Sequence, residues 1–188
     1  IVGESTEGPT PVAVEIEFGK AVISADNTTI LFSGVSADGK PLVAGFDEFA
    51  GTVYVNENTA VVSGMAIKVY SKSIWSNENG LARKLKSAAF LNADKFPTIT
   101  FETTEITASE DGGGKFDVKG KLTVRDVTRE VSFSATSSIV RYQLRVTGSF
   151  QIDRTEFPMD EALDQFGKII EVSLSVGSIS REAPLSNP

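Results

Sequence analysis

The sequence predicts an all-β fold in which about nine antiparallel strands and one short helix form a single-layer barrel. Apolar and polar residues alternate along most of the chain, which is the pattern of strands with one buried face. Turn-forming segments, such as "ADGK" at 37–40 and "SEDGGGK" at 109–115, separate many of these runs. Several runs exceed the roughly five to six residues of an average strand. Long strands favour a barrel over the alternative, a two-layer sandwich.

The individual strands follow from apolar residues that recur at every second position. In a single-layer barrel the outer face meets water, so each apolar face points inward. The longest regular run lies at 116–124. In chain order, these positions are Val14, Ile16 and Phe18; Ile30 and Phe32; Phe49, Val53 and Val55; Val61, Met65, Ile67 and Val69; Ile99, Phe101 and Thr103; Phe116, Val118, Gly120, Leu122 and Val124; Val131 and Phe133; Leu144, Val146, Phe150 and Ile152; and Ile170, Val172, Leu174 and Val176.

One segment, 77–89, has the pattern of a helix. Leu81, Leu85 and the alanines that follow recur at helical spacing. Ser76 or Asn77 can cap the start of this helix. Pro97 prevents the helical conformation from extending to the start of the next strand.

The residue types that are absent restrict the chemistry. The chain contains no His and no Cys. This excludes Ser–His and Cys–His nucleophiles and zinc sites built from imidazole or thiolate. Asp160, Glu161 and Asp164 lack the spacing of a calcium-binding loop, so we expect a solvated acidic loop and no metal site. We therefore expect a protein that is not an enzyme, with no catalytic residues.

Charge and hydropathy exclude two classes of partner. The net charge of −7 argues against nucleic acid, whose recognition requires clustered Lys and Arg. No apolar run reaches the ~18 residues of a membrane span, so we expect a chain that does not cross a membrane. A transient contact with a membrane surface is compatible with this composition.

Composition also divides the chain into three parts. Residues 1–12 have the Gly, Ser, Thr, Glu and Pro content of a flexible N-terminal linker. Residues 13–180 form the barrel domain, and residues 181–188 form a C-terminal tail. A linker of this kind is typical of a tether that follows a removed export signal.

Three ordered motifs carry a family resemblance. "GKLTVRDVTREVSF" at 120–133 has a Gly, a Leu-Thr pair, a Val-Thr-basic turn and a Val-x-Phe ending. The stretch 73–106 has a Ser-Ile entry, a short helix ending in Leu-basic-Ser, and a Pro-Thr-x-x-Phe-x-x-Thr ending. "FQIDRTEFPM" at 150–159 has an Asp-Arg pair followed by an acidic and an aromatic residue. Over about residues 15–180, the chain resembles the YceI-like family of polyisoprenoid-binding proteins.

The resemblance implies an extended eight-stranded antiparallel barrel, similar to a lipocalin, with one short helix. Its elongated apolar cavity would bind, store or transport an isoprenoid lipid, either a polyprenyl chain or an isoprenoid quinone. The lipid would be a ligand, and no cofactor is implied. Members are typically exported, so the expected location is periplasmic or secreted, and a homodimer is an allowed state. Two departures are Lys84, where many members have a His, and the loop "DEALDQFGK" at 160–168.

The predicted ligand-binding set consists of residues expected to line the cavity. Alternation places many of them on the inner face, and Gly120 on that face leaves room in the lumen. Pattern alone favours an ordinary filled core for these residues, whereas the resemblance favours a cavity lining. Trp75 has two interpretations, a plug at the mouth or a packing anchor for the helix. The complete set is Phe32, Phe49, Ile67, Trp75, Leu85, Phe90, Phe101, Leu122, Val131, Phe133 and Phe150.

Polar residues in the motifs are expected to be structural. We expect Arg125, Asp126 and Arg129 to form a solvated turn at the barrel rim. We expect Asp153, Arg154 and Glu156 to form a buried ion pair that closes one end of the barrel. The helix 77–89 and the loop 156–168 are the predicted elements of ligand entry, because loops move more easily than strands.

A second functional hypothesis is a closed-core β-barrel module that binds a protein partner. This hypothesis predicts a lumen filled by side chains and an exposed apolar patch on the surface. The lipid hypothesis predicts an elongated cavity instead.

Overall fold

The computed structural model describes residues 12–159 and 165–182. Within these ranges, twelve strands form one antiparallel sheet with the order β1-β2-β5-β6-β8-β9-β10-β11-β12-β3-β4-β7. One α-helix lies between β7 and β8, and two 3-10 helices follow β6 and β11. The strands are β1 (Ile16–Glu17), β2 (Lys20–Ser24), β3 (Thr28–Val35), β4 (Pro41–Phe46), β5 (Phe49–Asn56), β6 (Val61–Tyr70), β7 (Ile74–Ser76), β8 (Thr98–Ala108), β9 (Lys115–Val124), β10 (Val127–Val140), β11 (Gln143–Asp153) and β12 (Ile169–Val176); the helices are Ser71–Ser73, α1 (Leu81–Lys86) and Arg154–Glu156.

The predicted fold class is confirmed, and the strand count is larger than predicted. The structure adds the short strands β2 and β7 and the six-residue strand β4. In β4, "PLVAGF" is buried on both faces over its second half, with Val43 and Ala44 8% and 5% exposed. A strand covered on both sides has no polar alternation, so the period-two rule does not detect it.

The helix is shorter than predicted. It covers Leu81–Lys86 rather than 77–89, and Gly80 precedes it in the left-handed conformation at φ 80°. The two residues predicted to cap the helix instead form hydrogen bonds with β4. The Ser76 hydroxyl donates to the carbonyl of Val43, and the Asn77 side-chain oxygen accepts from the Val43 amide at 2.9 Å. Turns rather than helix follow residue 86.

The sheet is curled so that its first edge returns to β11. Val14 and Ile16 exchange backbone hydrogen bonds with Leu144 and Tyr142, each 2.8 Å long. The ladder between β10 and β11 covers only the part of each strand nearest their shared turn, and it ends at the Ala135–Gly148 pair. The two strands therefore lie paired at one end of the barrel and unpaired at the end that carries α1.

The inner face is defined by the cross-strand register. Phe150 lies opposite Val172, which lies opposite Phe32 on the next strand. Elsewhere in the sheet, Phe101 on β8 lies opposite Leu122 on β9. These inward positions are the ones that alternation predicts, because this sheet buries one face and exposes the other over most of its strands.

Gly120 lies on the inner face, but the room beside it is occupied. A Cβ added at Gly120 would lie 2.6 Å from Cε2 of Phe101 and 2.8 Å from the carbonyl oxygen of Glu102. The prediction that Gly120 leaves open space in the lumen is therefore corrected, since the Phe101 ring fills that space. The glycine is required by close packing between neighbouring strands.

We expect Gly120→Ala to lower the free energy of unfolding by about 1–3 kcal/mol, because the added methyl group overpacks both a ring and a backbone oxygen. Equilibrium unfolding in guanidinium chloride measures this change. Gly34→Ala is the matched control, because its added Cβ would meet nothing closer than 4.0 Å. Equal stability of the two variants would contradict the close contact at Gly120.

Candidate functional site

The barrel contains a cavity of about 180 Å³ at the end that carries α1. The strands that contribute to its lining, together with α1 and the segment around Phe166, are β3, β4, β6, β7, β8, β9, β10, β11 and β12. Among the described lining residues, the polar side chains are Ser33, Ser173 and Arg154, and the other side chains are apolar. The cavity is therefore suited to a hydrocarbon ligand more than to a polar one.

Eight of the eleven predicted ligand-binding residues lie on this lining. The strand residues among them come from β3, β6, β8, β9, β10 and β11, and the remainder come from α1 and the connection after it. Contact of these side chains with a ligand stays a prediction. The eight are Phe32, Ile67, Leu85, Phe90, Phe101, Leu122, Phe133 and Phe150.

The other three predicted residues lie outside the lining. Phe49 is 5% exposed and lies in the packed core, opposite Val69. Val131 packs against the core from the part of β10 that is not paired with β11. Trp75 on β7 pairs with Gly45 on β4. A Cβ added at Gly45 would lie only 2.6 Å from the Trp75 ring, so the ring occupies the space of a side chain there.

Trp75 contacts a segment that the sequence does not predict as its partner. The Arg181 guanidinium lies 4.5 Å from the centre of its ring. Arg181 also pairs with Asp47 at 2.9 Å. The indole therefore joins the segment after β12 to the outer surface of β4 and β7 and does not line the cavity.

Several lining residues were not predicted. Leu42 and Ala44 belong to β4, which the alternation rule does not detect. Leu81 begins α1 at helical spacing from Leu85, so the helical pattern could have identified it. Phe166 lies in a charged loop and has no local signal.

Arg154 is the charged residue of the described lining and is only 2% exposed. Its Nε donates to the carbonyl of Gly167 and its Nη2 to that of Phe166, both at 3.0 Å, and its Nη1 donates to the carbonyl of Met159. The guanidinium also lies 5.3 Å from the ring centre of Phe90. Charge-assisted bonds of this kind compensate the cost of burying the charge.

The predicted group of Asp153, Arg154 and Glu156 is arranged differently from a single buried ion pair. Asp153 lies 3.4 Å from the Lys168 amine, and Glu156 is exposed. Hydrogen bonds from the hydroxyl and amide of Thr155 hold the pKa of the Asp153 carboxyl below its usual range, and Lys168 acts in the same direction. Asp153 thus caps the 3-10 helix Arg154–Glu156.

Arg125 is half-buried and contacts backbone, in contrast to the solvated turn that the sequence predicts. Its Nη1 donates to the carbonyl of Phe90 at 3.2 Å and to that of Pro158. Its guanidinium lies 5.4 Å from the ring centre of Phe96. Arg125 therefore joins the β9–β10 turn to the segments that border the cavity. Asp126 is exposed, as predicted for a turn.

At the α1 end of the cavity, α1 meets residues 165–167, and we name this part of the lining the mouth. The Lys84 amine lies 2.5 Å from the side-chain oxygen of Gln165 and 4.6 Å from the ring centre of Phe166. Phe166 also makes an edge-to-face contact with Phe90 at 5.9 Å. Both elements predicted to control entry meet here, although residues 160–164 of the predicted loop lie outside the described residues. Asp160, Glu161 and Asp164 are among them.

Two further findings concern residues 12–159 and 165–182. They contain no group of three or more His, Cys, Asp or Glu side chains arranged to hold a metal ion. They also contain no helix with the length and apolar character needed to cross a membrane.

Comparison with known proteins identifies the family. Residues 22–178 match the model of the YceI-like domain. A UPF0312 protein of Vibrio vulnificus is 32% identical over 90 residues, which is 48% of this chain and 47% of the relative, so the match spans about half of that protein. A UPF0312 protein of Pseudomonas paraeruginosa is 28% identical over 140 residues, covering 71% of this chain and 72% of the relative.

Solved structures share the fold at low sequence identity. BcnA of Burkholderia cenocepacia has a TM-score of 0.70 at 18% identity, over 79% of this chain and 94% of that one. A polyisoprenoid binding domain from Saccharophagus degradans, implicated in plant cell wall breakdown, has a TM-score of 0.63 at 7% identity, over 86% of this chain and 100% of that one. With a family model matched across most of its length and the same fold in solved relatives, this chain belongs to the YceI-like domain family.

Proposed function

We propose that this protein binds an isoprenoid lipid, either a polyprenyl chain or an isoprenoid quinone, in the cavity of its barrel. It would store or carry the lipid without changing it chemically. The observation that carries the proposal is the lining, in which apolar side chains surround the space and Arg154 uses its guanidinium to bind backbone carbonyls.

The energetics of such binding depend on area rather than on specific polar contacts. A prenyl chain has almost no hydrogen-bonding groups, so it gains free energy by leaving water. At about 0.8 kcal/mol per buried carbon group, one five-carbon isoprene unit contributes about 4 kcal/mol before the costs of ordering are subtracted. An apolar cavity lined by phenylalanine and aliphatic residues provides this gain.

Two further observations support the proposal. The structural neighbour from Saccharophagus degradans is described as a polyisoprenoid binding domain. The absence of His and Cys removes the commonest nucleophiles and general bases, which favours binding over catalysis. A periplasmic or secreted location, where a carrier would move lipid between membranes, belongs to the same proposal.

The alternative, a closed-core module that binds a protein partner, predicts side chains filling the whole lumen. The end of the barrel away from α1 is filled in this way, with Phe116 and Leu144 at most 2% exposed. The cavity at the α1 end supports the lipid hypothesis instead.

Lipid extraction tests the proposal. Protein purified from its native host is extracted with organic solvent, and the extract is analysed by mass spectrometry. We expect a prenyl lipid in amounts approaching one per protein chain, and we expect lipid-free protein to bind an added isoprenoid quinone. A linear fatty alcohol of equal carbon number is the control for non-specific uptake. Absence of prenyl lipid together with no binding of added isoprenoids would contradict the proposal.

A further inference from the structure

On several strands the cavity lining stops partway along the inner face. On β9, Leu122 and Val124 line the cavity, whereas Val118 does not. On β11, Ile152 lines it and Val146 does not. Strands β6, β8 and β12 show the same change from lining to non-lining residues along their inner faces. The same kind of change on several strands indicates that the cavity ends inside the lumen.

Three phenylalanine rings line the cavity where this change occurs. Phe133 and Phe150 stack with ring centres 4.9 Å apart and planes at 21°, and Phe101 lies 6.1 Å from Phe133. They come from β10, β11 and β8, so together they extend across one side of the barrel interior. We name Phe101, Phe133 and Phe150 the aromatic floor.

Two glycines make room for the aromatic floor. A Cβ at Gly120 would lie 2.6 Å from the Phe101 ring, and one at Gly148 would lie 3.2 Å from the Phe133 ring. The rings therefore occupy space that side chains at these two positions would fill. This packing fixes the position of the rings.

Below the aromatic floor the lumen is filled. Val146 and Val53 are 0% exposed, and Val118, Leu144 and Met65 are 1% exposed. By contrast, the floor residues are only partly buried, and they line the cavity. A ligand that enters from the α1 end meets the rings first and then a densely packed core.

The depth of the cavity follows from strand geometry. From Val124 near the mouth to Gly120 at the level of the floor, four residues of strand advance at most about 13 Å. An extended isoprene unit has four chain bonds of about 1.5 Å and so advances roughly 5 Å. The cavity therefore encloses two to three isoprene units.

We infer that the aromatic floor limits the length of isoprenoid chain that the barrel encloses, and that the protein selects the first two to three units of a prenyl chain. This inference rests on the proposed function. Units beyond the third remain outside the cavity and add no buried area. Affinity therefore rises with chain length only until the floor is reached.

A chain-length series tests the inference. Geraniol, farnesol and geranylgeraniol, with two, three and four isoprene units, are delivered in cyclodextrin and their affinities are measured by isothermal titration calorimetry. For the wild-type protein we expect farnesol to bind about tenfold tighter than geraniol, and geranylgeraniol to bind within about threefold of farnesol. For Phe133→Ala, which opens the floor, we expect geranylgeraniol to bind about tenfold tighter than farnesol.

The controls separate the two proposals. Phe18→Ala removes the same side chain at a position that is 94% exposed and should reproduce the wild-type series. If Phe133→Ala does not fold, Phe150→Leu removes part of the same stack, and the wild-type series remains a test by itself. Wild-type protein that binds none of the three alcohols contradicts the proposed function. Two results would overturn the inference about the floor while leaving the proposed lipid function intact. One is a wild-type protein that binds geranylgeraniol about tenfold tighter than farnesol. The other is floor variants whose affinities for the three alcohols equal those of the wild-type protein.

Discussion

Replacement of Arg154 by methionine is expected to lower the free energy of unfolding by about 3 kcal/mol. Methionine keeps much of the length and apolar volume of the side chain. It cannot donate to the carbonyls of Met159, Phe166 and Gly167, which accept from the guanidinium in the folded protein. Carbonyls that lose such a donor in a buried site retain the cost of desolvation without its compensation.

Thermal and chemical unfolding measure this loss. For a chain of this size, about 3 kcal/mol corresponds to a decrease in Tm of roughly 6–12 °C. Arg129→Met is the matched control, because Arg129 is exposed on β10 and should change the stability by less than about 0.5 kcal/mol. An equally small change for Arg154→Met would show that the buried guanidinium is not a stabilising element.

Arg154→Lys tests whether the positive charge of Arg154 or the arrangement of its donors stabilises the fold. Lysine keeps the positive charge but cannot reproduce the planar arrangement of donors that reaches two neighbouring carbonyls at 3.0 Å. We expect a loss close to that of methionine. Since the carbonyls of Phe166 and Gly167 belong to the segment that borders the cavity mouth, either variant should also weaken isoprenoid binding.

Much of the fold follows from local sequence because the barrel buries one face and exposes the other. Along β9, alternation places Phe116, Val118, Leu122 and Val124 on one face, and these four side chains are all buried. The same rule has nothing to detect in β4, where consecutive apolar residues are covered on both sides. It also cannot show that Ser76 and Asn77 serve β4 rather than the helix, because those partners are more than 30 residues away in sequence.

The cavity could be predicted only in part. Alternation identifies inward residues but does not state whether they fill the lumen or line a space within it. That difference depends on where rings fit against glycines on neighbouring strands, as Phe101 does beside Gly120. Arg125 illustrates the same limit, because its turn sequence is typical of a solvated rim while its carbonyl partners lie in segments that are distant along the chain. Side-chain contacts of this kind are determined by the tertiary arrangement.

Leu174→Trp is expected to abolish isoprenoid binding while leaving the protein folded. Leu174 lines the cavity on β12, between Ile30 on β3 and Gly148 on β11. An indole at this position extends into the space that the ligand would occupy. We expect at least a roughly 100-fold loss of affinity for farnesol, because the displaced chain loses most of its buried area.

The Leu174→Trp variant should lose affinity for farnesol without losing stability. Filling an apolar cavity adds buried surface, so we expect the free energy of unfolding to be unchanged or raised by about 1 kcal/mol. Val140→Trp, at a position that is 65% exposed, is the matched control and should bind farnesol as the wild-type protein does. A folded Leu174→Trp variant with wild-type affinity would place the ligand outside the barrel. Since the indole blocks the cavity without removing any polar group, loss of binding with retained stability would assign the ligand to this cavity rather than to the outer surface.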